Sequence, residues 1–184
     1  MKKVLLILTV LFLSSFLFAR VPEFSLSFDA GLLQDVIIRT NTYQIHADAR
    51  CRIFNTFQLR LPVTAVITSG ERMYDIGLSF AFYPMSHGLF LGMSVVQFGI
   101  IRGSTQLEKT FYSLNEVFAG WTFLIGKKDS VKRFYLEPQI VIRDPSGVFS
   151  DAYSAIRGEL AGYKNFRIRL CAGFVLNPAQ SKEV

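Results

Sequence analysis

The sequence predicts an all-β protein: a membrane-spanning, up-and-down antiparallel β-barrel of eight strands that follows a cleavable N-terminal signal peptide. The composition is more apolar than that of a soluble domain, with 51% hydrophobic and 18% charged residues, where soluble domains average about 25% charged residues. The N-terminus has the pattern of an export signal. The remainder alternates apolar and polar side chains in segments of the length that crosses a bilayer as tilted strands, roughly 9–11 residues.

Residues 1–19 form the predicted signal peptide. Lys2 and Lys3 supply its positive start, an apolar run continues to Phe18, and Ala19 offers a small residue for cleavage. The run is shorter than the roughly 20 residues of a spanning helix, so a cleaved signal is favoured over an uncleaved anchor. Residues 20–184 are then expected to form a single domain.

Most of the mature chain alternates with period two, which indicates strands with one apolar face. The strands predicted from this alternation are 24–32, 43–53, 57–67, 74–83, 116–125, 134–143 and 166–176. Turn-forming residues separate several of them, at Asn55, 69–71, 84–88 and 126–130. Residues 89–101 are apolar on both faces, so they are assigned as the fifth strand without an orientation.

Two stretches depart from this scheme. Pro138 lies in the middle of the seventh strand, where its missing N–H predicts a bulge or another irregularity. Residues 153–163 alternate weakly, with Arg157 and Glu159 on one face. Since single-chain bacterial barrels have an even number of strands, this segment is assigned to the loop between the last two strands.

One face of the alternating strands has no charged residue, whereas the other face is polar. The charged residues of the polar face are Asp29, Asp48, Arg50, Arg52, Arg60, Asp75, Glu116, Glu137, Arg143, Arg167 and Arg169. The charge-free face is too crowded with bulky side chains for an eight-stranded interior, and its aromatic residues recur near strand ends like an interfacial girdle. An Arg or Lys facing lipid costs about 2–4 kcal/mol at mid-bilayer. The charge-free face is therefore predicted to contact lipid. A soluble lipocalin-like barrel, with its apolar face inside, is the alternative.

The charged residues of the inner face are nearly balanced between acids and arginines. An eight-stranded barrel encloses only enough room for side chains, so we expect these residues to form ion pairs that fill the lumen. A polar conduit is the alternative. The sequence has no Cys/His cluster, which predicts no metal and no cofactor. Cys51 and Cys171 fall on opposite faces of non-adjacent strands and are expected to be free thiols.

The loops indicate the expected orientation and partners. With the N-terminus in the periplasm, the longer connections 102–111 and 144–165 face outward, where they are the expected contact surface for an extracellular ligand. The other expected partners are outer-membrane lipid and the barrel-insertion machinery. The net charge of +6 is interspersed along an exported chain, so no nucleic-acid binding is expected.

These features resemble the small eight-stranded outer-membrane proteins of the OmpA, OmpX and OmpW type. The resemblance covers residues 20–176 and includes the strings 78–84 and 88–92, Leu-Ser-Phe-Ala-Phe-Tyr-Pro and Gly-Leu-Phe-Leu-Gly. Many members end on an aromatic residue that the insertion machinery reads. Here residues 177–184 follow the last strand, which is a departure from that pattern.

The resemblance implies a bacterial outer-membrane location and several functions. The first is a non-enzymatic barrel with a structural or surface-interaction role. The alternative is a narrow channel for small apolar molecules, as in OmpW-like proteins. A lipid-modifying enzyme would need a His, an acid and a Ser near the outer rim, for which His46, Asp48 and either Ser104 or Ser154 are the candidates.

Overall fold

The computed structural model describes residues 22–30, 41–53, 55–85, 88–102, 110–113, 115–126, 133–148, 150–151, 154 and 164–177. The predicted signal peptide lies outside these residues, as do most of loop 102–111 and, apart from Ser154, the weakly alternating segment 153–163. Within the described part of the chain, no helix combines the length and the apolar character needed to cross a membrane.

The strands are β1 (Glu23–Asp29), β2 (Tyr43–Arg52), β3 (Phe57–Ile67), β4 (Arg72–Phe82), β5 (Leu89–Arg102), β6 (Thr110–Ser113), β7 (Glu116–Trp121), β8 (Phe123–Ile125), β9 (Phe134–Arg143) and β10 (Phe166–Val175). β6 and β7 both pair with β5, and β7 and β8 both pair with β9. These three pieces therefore form one barrel strand, the sixth, which begins at Thr110 rather than at the predicted Glu116.

All pairings between neighbouring strands are antiparallel, and β10 pairs with both β9 and β1. The sheet is thus a closed barrel, and the predicted count of eight strands is confirmed. Closure matters because lipid offers no partners to backbone N–H and C=O groups, so a spanning sheet needs all of them paired between strands.

The two faces of the barrel have opposite polarity. In β9 every second residue is buried, and three of these are Glu137, Gln139 and Arg143, while the residues between them are exposed and apolar. Large apolar side chains elsewhere on the outside are as exposed as Phe28 at 60% and Ile76 at 61%. A polar inside and an apolar outside are typical of a membrane barrel and are the reverse of a soluble lipocalin-like barrel.

A β-bulge in β5 explains why its sequence is apolar on both faces. Leu78 opposes Val96 and Ser79 opposes Ser94, which leaves Val95 as an extra residue. Val95 and Val96 both face outward, with 50% and 43% of their surfaces exposed. The inward positions therefore change from even-numbered to odd-numbered residues at the bulge. The buried residues of β5 are Phe90, Ser94, Gln97, Gly99 and Ile101.

The irregularity predicted at Pro138 lies in the neighbouring strand. The register between β9 and β10 runs unbroken past Pro138, so no bulge forms there. On the other side, pairing stops at Gly120 and resumes at Phe123 in the same register. Thr122, the residue between β7 and β8, donates its N–H to the carbonyl oxygen of Gly88 at 2.8 Å, on the side that faces β5. Because proline has no N–H to offer, the ladder is interrupted at this point.

Candidate functional site: a side-chain-filled lumen

The first group of lumen residues is centred on Glu137, which is fully buried. Its Oε2 accepts a hydrogen bond from Arg50 at 2.6 Å and lies 3.6 Å from the guanidinium of Arg60. Arg50 also pairs with Asp48 at 2.8 Å. β3 and β9 lie on opposite sides of the ring, so the pair between Arg60 and Glu137 crosses the whole lumen.

Neutral polar groups complete the surroundings of Glu137. Thr122 donates to Oε1 at 2.7 Å and the hydroxyl of Tyr83 donates to the same oxygen at 3.4 Å. The side-chain amide of Gln139 donates to Oε2 at 3.1 Å. Arg60 is held in turn by Gln58, which accepts a bond from its Nε at 2.8 Å. Both carboxylate oxygens are therefore satisfied, as a charge removed from water requires.

A second group of residues crosses the lumen nearer the end that carries the long loops. Arg143 donates its Nε–H to Glu116 at 2.8 Å, and Arg169 lies 3.8 Å from the other Glu116 oxygen. Arg169 also contacts Nε2 of His46 at 3.2 Å. β2, which carries His46, and β7, which carries Glu116, are on opposite sides of the ring. The chain of contacts from His46 through Arg169 to Glu116 thus spans the interior a second time.

His46 links the two groups. Its Nε2 lies 2.9 Å from Asp48, and its Nδ1 lies 3.0 Å from the hydroxyl of Thr64. Only 2% of His46 is exposed. The imidazole contacts Asp48 of the first group and Arg169 of the second, and it therefore connects the two.

The remaining predicted residues of the network have partners other than the ion pairs of these two groups. Asp29 pairs with Arg167 at 3.4 Å near the loop end. Asp75 accepts a hydrogen bond from the amide of Gln97 at 3.0 Å rather than pairing with an arginine of the described residues. The guanidinium of Arg52 stacks over the Tyr83 ring at 4.1 Å, near the end that carries the termini. Charge balance alone did not predict these neutral partners.

The network predicted from the sequence contained charged residues only and left out the uncharged side chains that contact them. They are Gln58, Thr64, Tyr83, Gln97, Thr122, Tyr135 and Gln139. Most occupy inward positions of strands whose alternation was recognised, so their position was the available signal. Gln97 was hidden because the bulge left β5 without a predicted orientation.

Inward aromatic rings occupy the space left by glycines on neighbouring strands. Phe118 is the register partner of Gly92, and Tyr135 is the register partner of Gly173. A Cβ atom built on either glycine would overlap the facing ring. The Arg60 guanidinium lies 5.1 Å from the Phe118 ring centroid, within the range of a cation–π contact. These rings help to fill the lumen beside the first ion-pair group.

An apolar groove with a volume of about 520 Å³ lies on the outer face of the described strands. Its lining residues come from β3, β4, β5, β7 and β9, and they are Phe57, Phe80, Ala81, Phe82, Leu91, Gly92, Met93, Val117, Phe118, Ala119, Ile140 and Ile142. Small residues such as Gly92 and Ala119 make the depression between larger neighbours. The lining has no charged group.

The described residues provide no metal site, because no three His, Cys, Asp or Glu side chains are grouped to bind an ion. Cys51 is half-buried, Cys171 is buried, and both are free thiols, as expected. For the lipid-modifying hypothesis, His46 and Asp48 are in contact, but the nearest hydroxyl that the structure pairs with His46 is that of Thr64. Ser104 lies outside the described residues.

Comparisons with known proteins add a structural likeness. No protein-family model matches the chain, and no curated protein matches it. Among solved structures, the crystal structure of neisserial surface protein A is similar, with 14% identity and a TM-score of 0.47. The alignment covers 85% of this chain and 95% of that one. The fold described above rests on the strand pairing of this chain itself.

Proposed function

We propose that this protein is an integral β-barrel of a bacterial outer membrane, with a lumen filled by its own side chains. Its role is structural or one of surface interaction, and it is not an enzyme. The observation that carries this proposal is the pair of contact chains across the lumen, one through Arg60 and Glu137 and one from His46 through Arg169 to Glu116.

The energetics of buried charge support a closed lumen. Breaking a buried ion pair by removing one partner costs about 3–5 kcal/mol, because a charge is left without compensation. A water-filled path through the lumen would have to break both series of side-chain contacts. The buried side chains of Arg50, Arg60 and Glu137 leave little room for such a path, so a passive barrel is favoured over an open pore.

The proposed location and partners follow from the outer face and the connections. The apolar exterior requires lipid as its solvent, and insertion of such a barrel requires the barrel-insertion machinery. With the N-terminus in the periplasm, the strand ends that flank the connections 102–111 and 144–165 would face the cell exterior, where an extracellular ligand would meet these connections. The predicted signal peptide 1–19 provides the route of export.

The test uses the full mature chain refolded in detergent and in vesicles. We expect folded protein to migrate differently from boiled protein on SDS gels, and we expect no steady conductance in planar bilayers. Protein that stays folded as a monomer in plain buffer, with no shift on boiling, would contradict the membrane assignment. Steady conductance of the native chain would contradict the filled lumen.

The outer groove favours a second candidate, passage of small apolar molecules through the barrel wall. Its floor at Gly92 and Ala119 adjoins the apolar part of the lumen around Phe90 and Phe118. In vesicles, uptake of an apolar dye would then fall on Ala119→Trp, which fills the groove, and persist in Ala49→Trp, a matched change on the outer face of β2. Equal uptake by vesicles with and without the protein would remove this candidate.

The absence of catalysis is tested in a lipid-acyl transfer and hydrolysis assay. We expect the native protein to show no activity, because His46 is enclosed by Asp48, Thr64 and Arg169. Activity that disappears in His46→Ala would revive the enzymatic hypothesis.

A further inference from the structure

On the outer face of the described strands, charge is confined to one place. Among the outward positions of the strands whose side chains the structure describes, only Arg72 of β4 and Arg102 of β5 carry a charge. Both are exposed, and both lie at the end of the barrel that carries the long loops. The other outward strand residues whose side chains the structure describes are apolar or neutral.

The two arginines are direct partners in the antiparallel register. Side chains directly opposite each other start from Cβ atoms about 4.5–5.5 Å apart, and like charges at such positions are destabilising. No ion pair joins either arginine to a carboxylate among the described residues. Glu71, which precedes Arg72, leaves its Oε2 without a hydrogen-bond partner. The two positive charges are therefore close together and not neutralised by a described side chain.

Their depth is fixed by the rows of outward residues that run across the sheet. Tyr43, Ile67, Arg72 and Arg102 form one row of register partners. The next row towards the middle of the barrel contains Ile45, Ala65, Tyr74 and Ile100, and the row after that contains Ala47, Val63, Ile76 and Phe98. The arginines thus lie where the apolar belt ends, beside tyrosines of the kind that mark the headgroup level.

We propose that Arg72 and Arg102 together bind the phosphate of a lipid headgroup in the leaflet that surrounds the loop end. Guanidinium groups match phosphate oxygens with paired, charge-assisted hydrogen bonds, and a phosphate between the two side chains removes their mutual repulsion. This inference rests on the proposed function, because it requires the barrel to span a membrane with its loop end in the outer leaflet.

The site is tested by lipid retention on the full mature chain refolded in an uncharged detergent. Native mass spectrometry with a bis-phosphorylated lipid A, its phosphate-free counterpart and inorganic phosphate separates a lipid site from a free-anion site. We expect retention of the phosphorylated lipid to weaken about fivefold for Arg72→Gln or Arg102→Gln, the effect of one basic residue near an anionic surface, and further in the double variant. Arg133→Gln, an exposed arginine near the opposite end, is the matched control and should bind like the native protein.

A second measurement distinguishes lipid binding from a purely structural role. In uncharged detergent, Arg72→Gln should unfold at the same or a higher temperature than the native protein, because it relieves repulsion. In vesicles containing the phosphorylated lipid it should unfold at a lower temperature. If Arg72→Gln changed the unfolding temperature in the same direction in detergent and in vesicles, the proposal would be overturned.

The remaining outcomes are also decisive. Equal binding of the phosphate-free lipid, or equal losses in Arg133→Gln, would overturn the site while leaving the barrel assignment intact. Inorganic phosphate that displaces the lipid completely would show an anion site without lipid specificity, and would overturn the lipid assignment. Failure of the native chain to fold in detergent or vesicles would instead contradict the proposed function.

Discussion

Glu137 is the residue on which the lumen network converges. It accepts bonds from Arg50, Thr122 and Gln139 and lies within ion-pair distance of Arg60. Two arginines thus share one buried carboxylate; Arg50 also pairs with Asp48, whereas Arg60 pairs with no other acid among the described residues. Paired charges thus stabilise the lumen network, and loss of the Glu137 carboxylate is the change expected to weaken it most.

Replacing Glu137 tests this dependence. We expect Glu137→Gln to lower the free energy of unfolding by about 3–5 kcal/mol, because Arg50 and Arg60 are left buried without their shared partner. Urea unfolding in vesicles, followed by the fluorescence of the single tryptophan Trp121, measures the change. Glu23→Gln, at the end of β1, should be nearly neutral.

A double variant distinguishes the effect of the unpaired charge from the effect of the changed side-chain shape in Glu137→Gln. Adding Arg60→Gln to Glu137→Gln should recover part of the lost stability, because one uncompensated charge is removed. A single Glu137→Gln variant as stable as the native protein would show that these ion pairs do not hold the lumen together.

The contact between Gly173 and Tyr135 tests the packing of the lumen. A side chain at Gly173 would overlap the Tyr135 ring, so we expect Gly173→Val to reduce stability by about 1–3 kcal/mol through overpacking. The neighbouring Ala172→Val, on the outer face of β10, adds similar volume towards lipid and should be tolerated. Similar losses from both variants in the same urea assay would mean that the ring is free to move away.

At the scale of elements, β5 shows how one extra residue sets the orientation of a strand. Val95 is inserted opposite the step from Leu78 to Ser79, and both flanking halves of β5 keep their apolar residues outward. A bulge of this kind bends the strand and increases its twist. Without it, Gln97 would lie on the outer face.

Lysine substitutions test that orientation. We expect Val95→Lys and Val96→Lys to lower the free energy of unfolding in vesicles by similar amounts, up to about 2–4 kcal/mol near mid-bilayer, since both side chains face outward. Ser69→Lys, in the exposed turn between β3 and β4, is the control with no expected loss. A large loss at only one of the two valines would indicate strict alternation and no bulge.

At the scale of the whole molecule, the two ends of the barrel differ. The strand ends that flank residues 30–42, 103–109 and 144–165 lie at the same end as the tight turn 68–71, where the Thr68 hydroxyl accepts the N–H of Glu71 at 2.9 Å. Both described ends of the chain lie at the opposite end, where Leu176 donates to the carbonyl of Phe24 at 2.8 Å.

Epitope insertion tests the proposed orientation in cells. A short tag after Ser69 should bind antibody on intact cells, whereas a tag after Asn55 should become accessible only after the outer membrane is permeabilised. The reverse labelling would place the termini outside, and it would move the Arg72 and Arg102 pair to the other leaflet.

The sequence by itself determined the architecture. A period-two pattern repeated along the chain, with charge on one face only, requires strands whose other face contacts an apolar medium, and closure follows because lipid cannot pair a free edge. Inward positions such as Asp48, Arg50 and Glu137 could be identified because they occur at regular intervals within their own strands.

Only the tertiary structure decided which inward residues meet. The pairs between Arg60 and Glu137 and between Arg169 and Glu116 join residues far apart in the chain, and closure of the ring brings them together. The orientation of β5 depended on a bulge at Val95 and Val96, which the sequence does not reveal because two consecutive valines give no alternation. The pairing of Arg72 with Arg102 likewise depends on register, because a strand's own periodicity fixes the face of each residue but not its neighbour across the sheet.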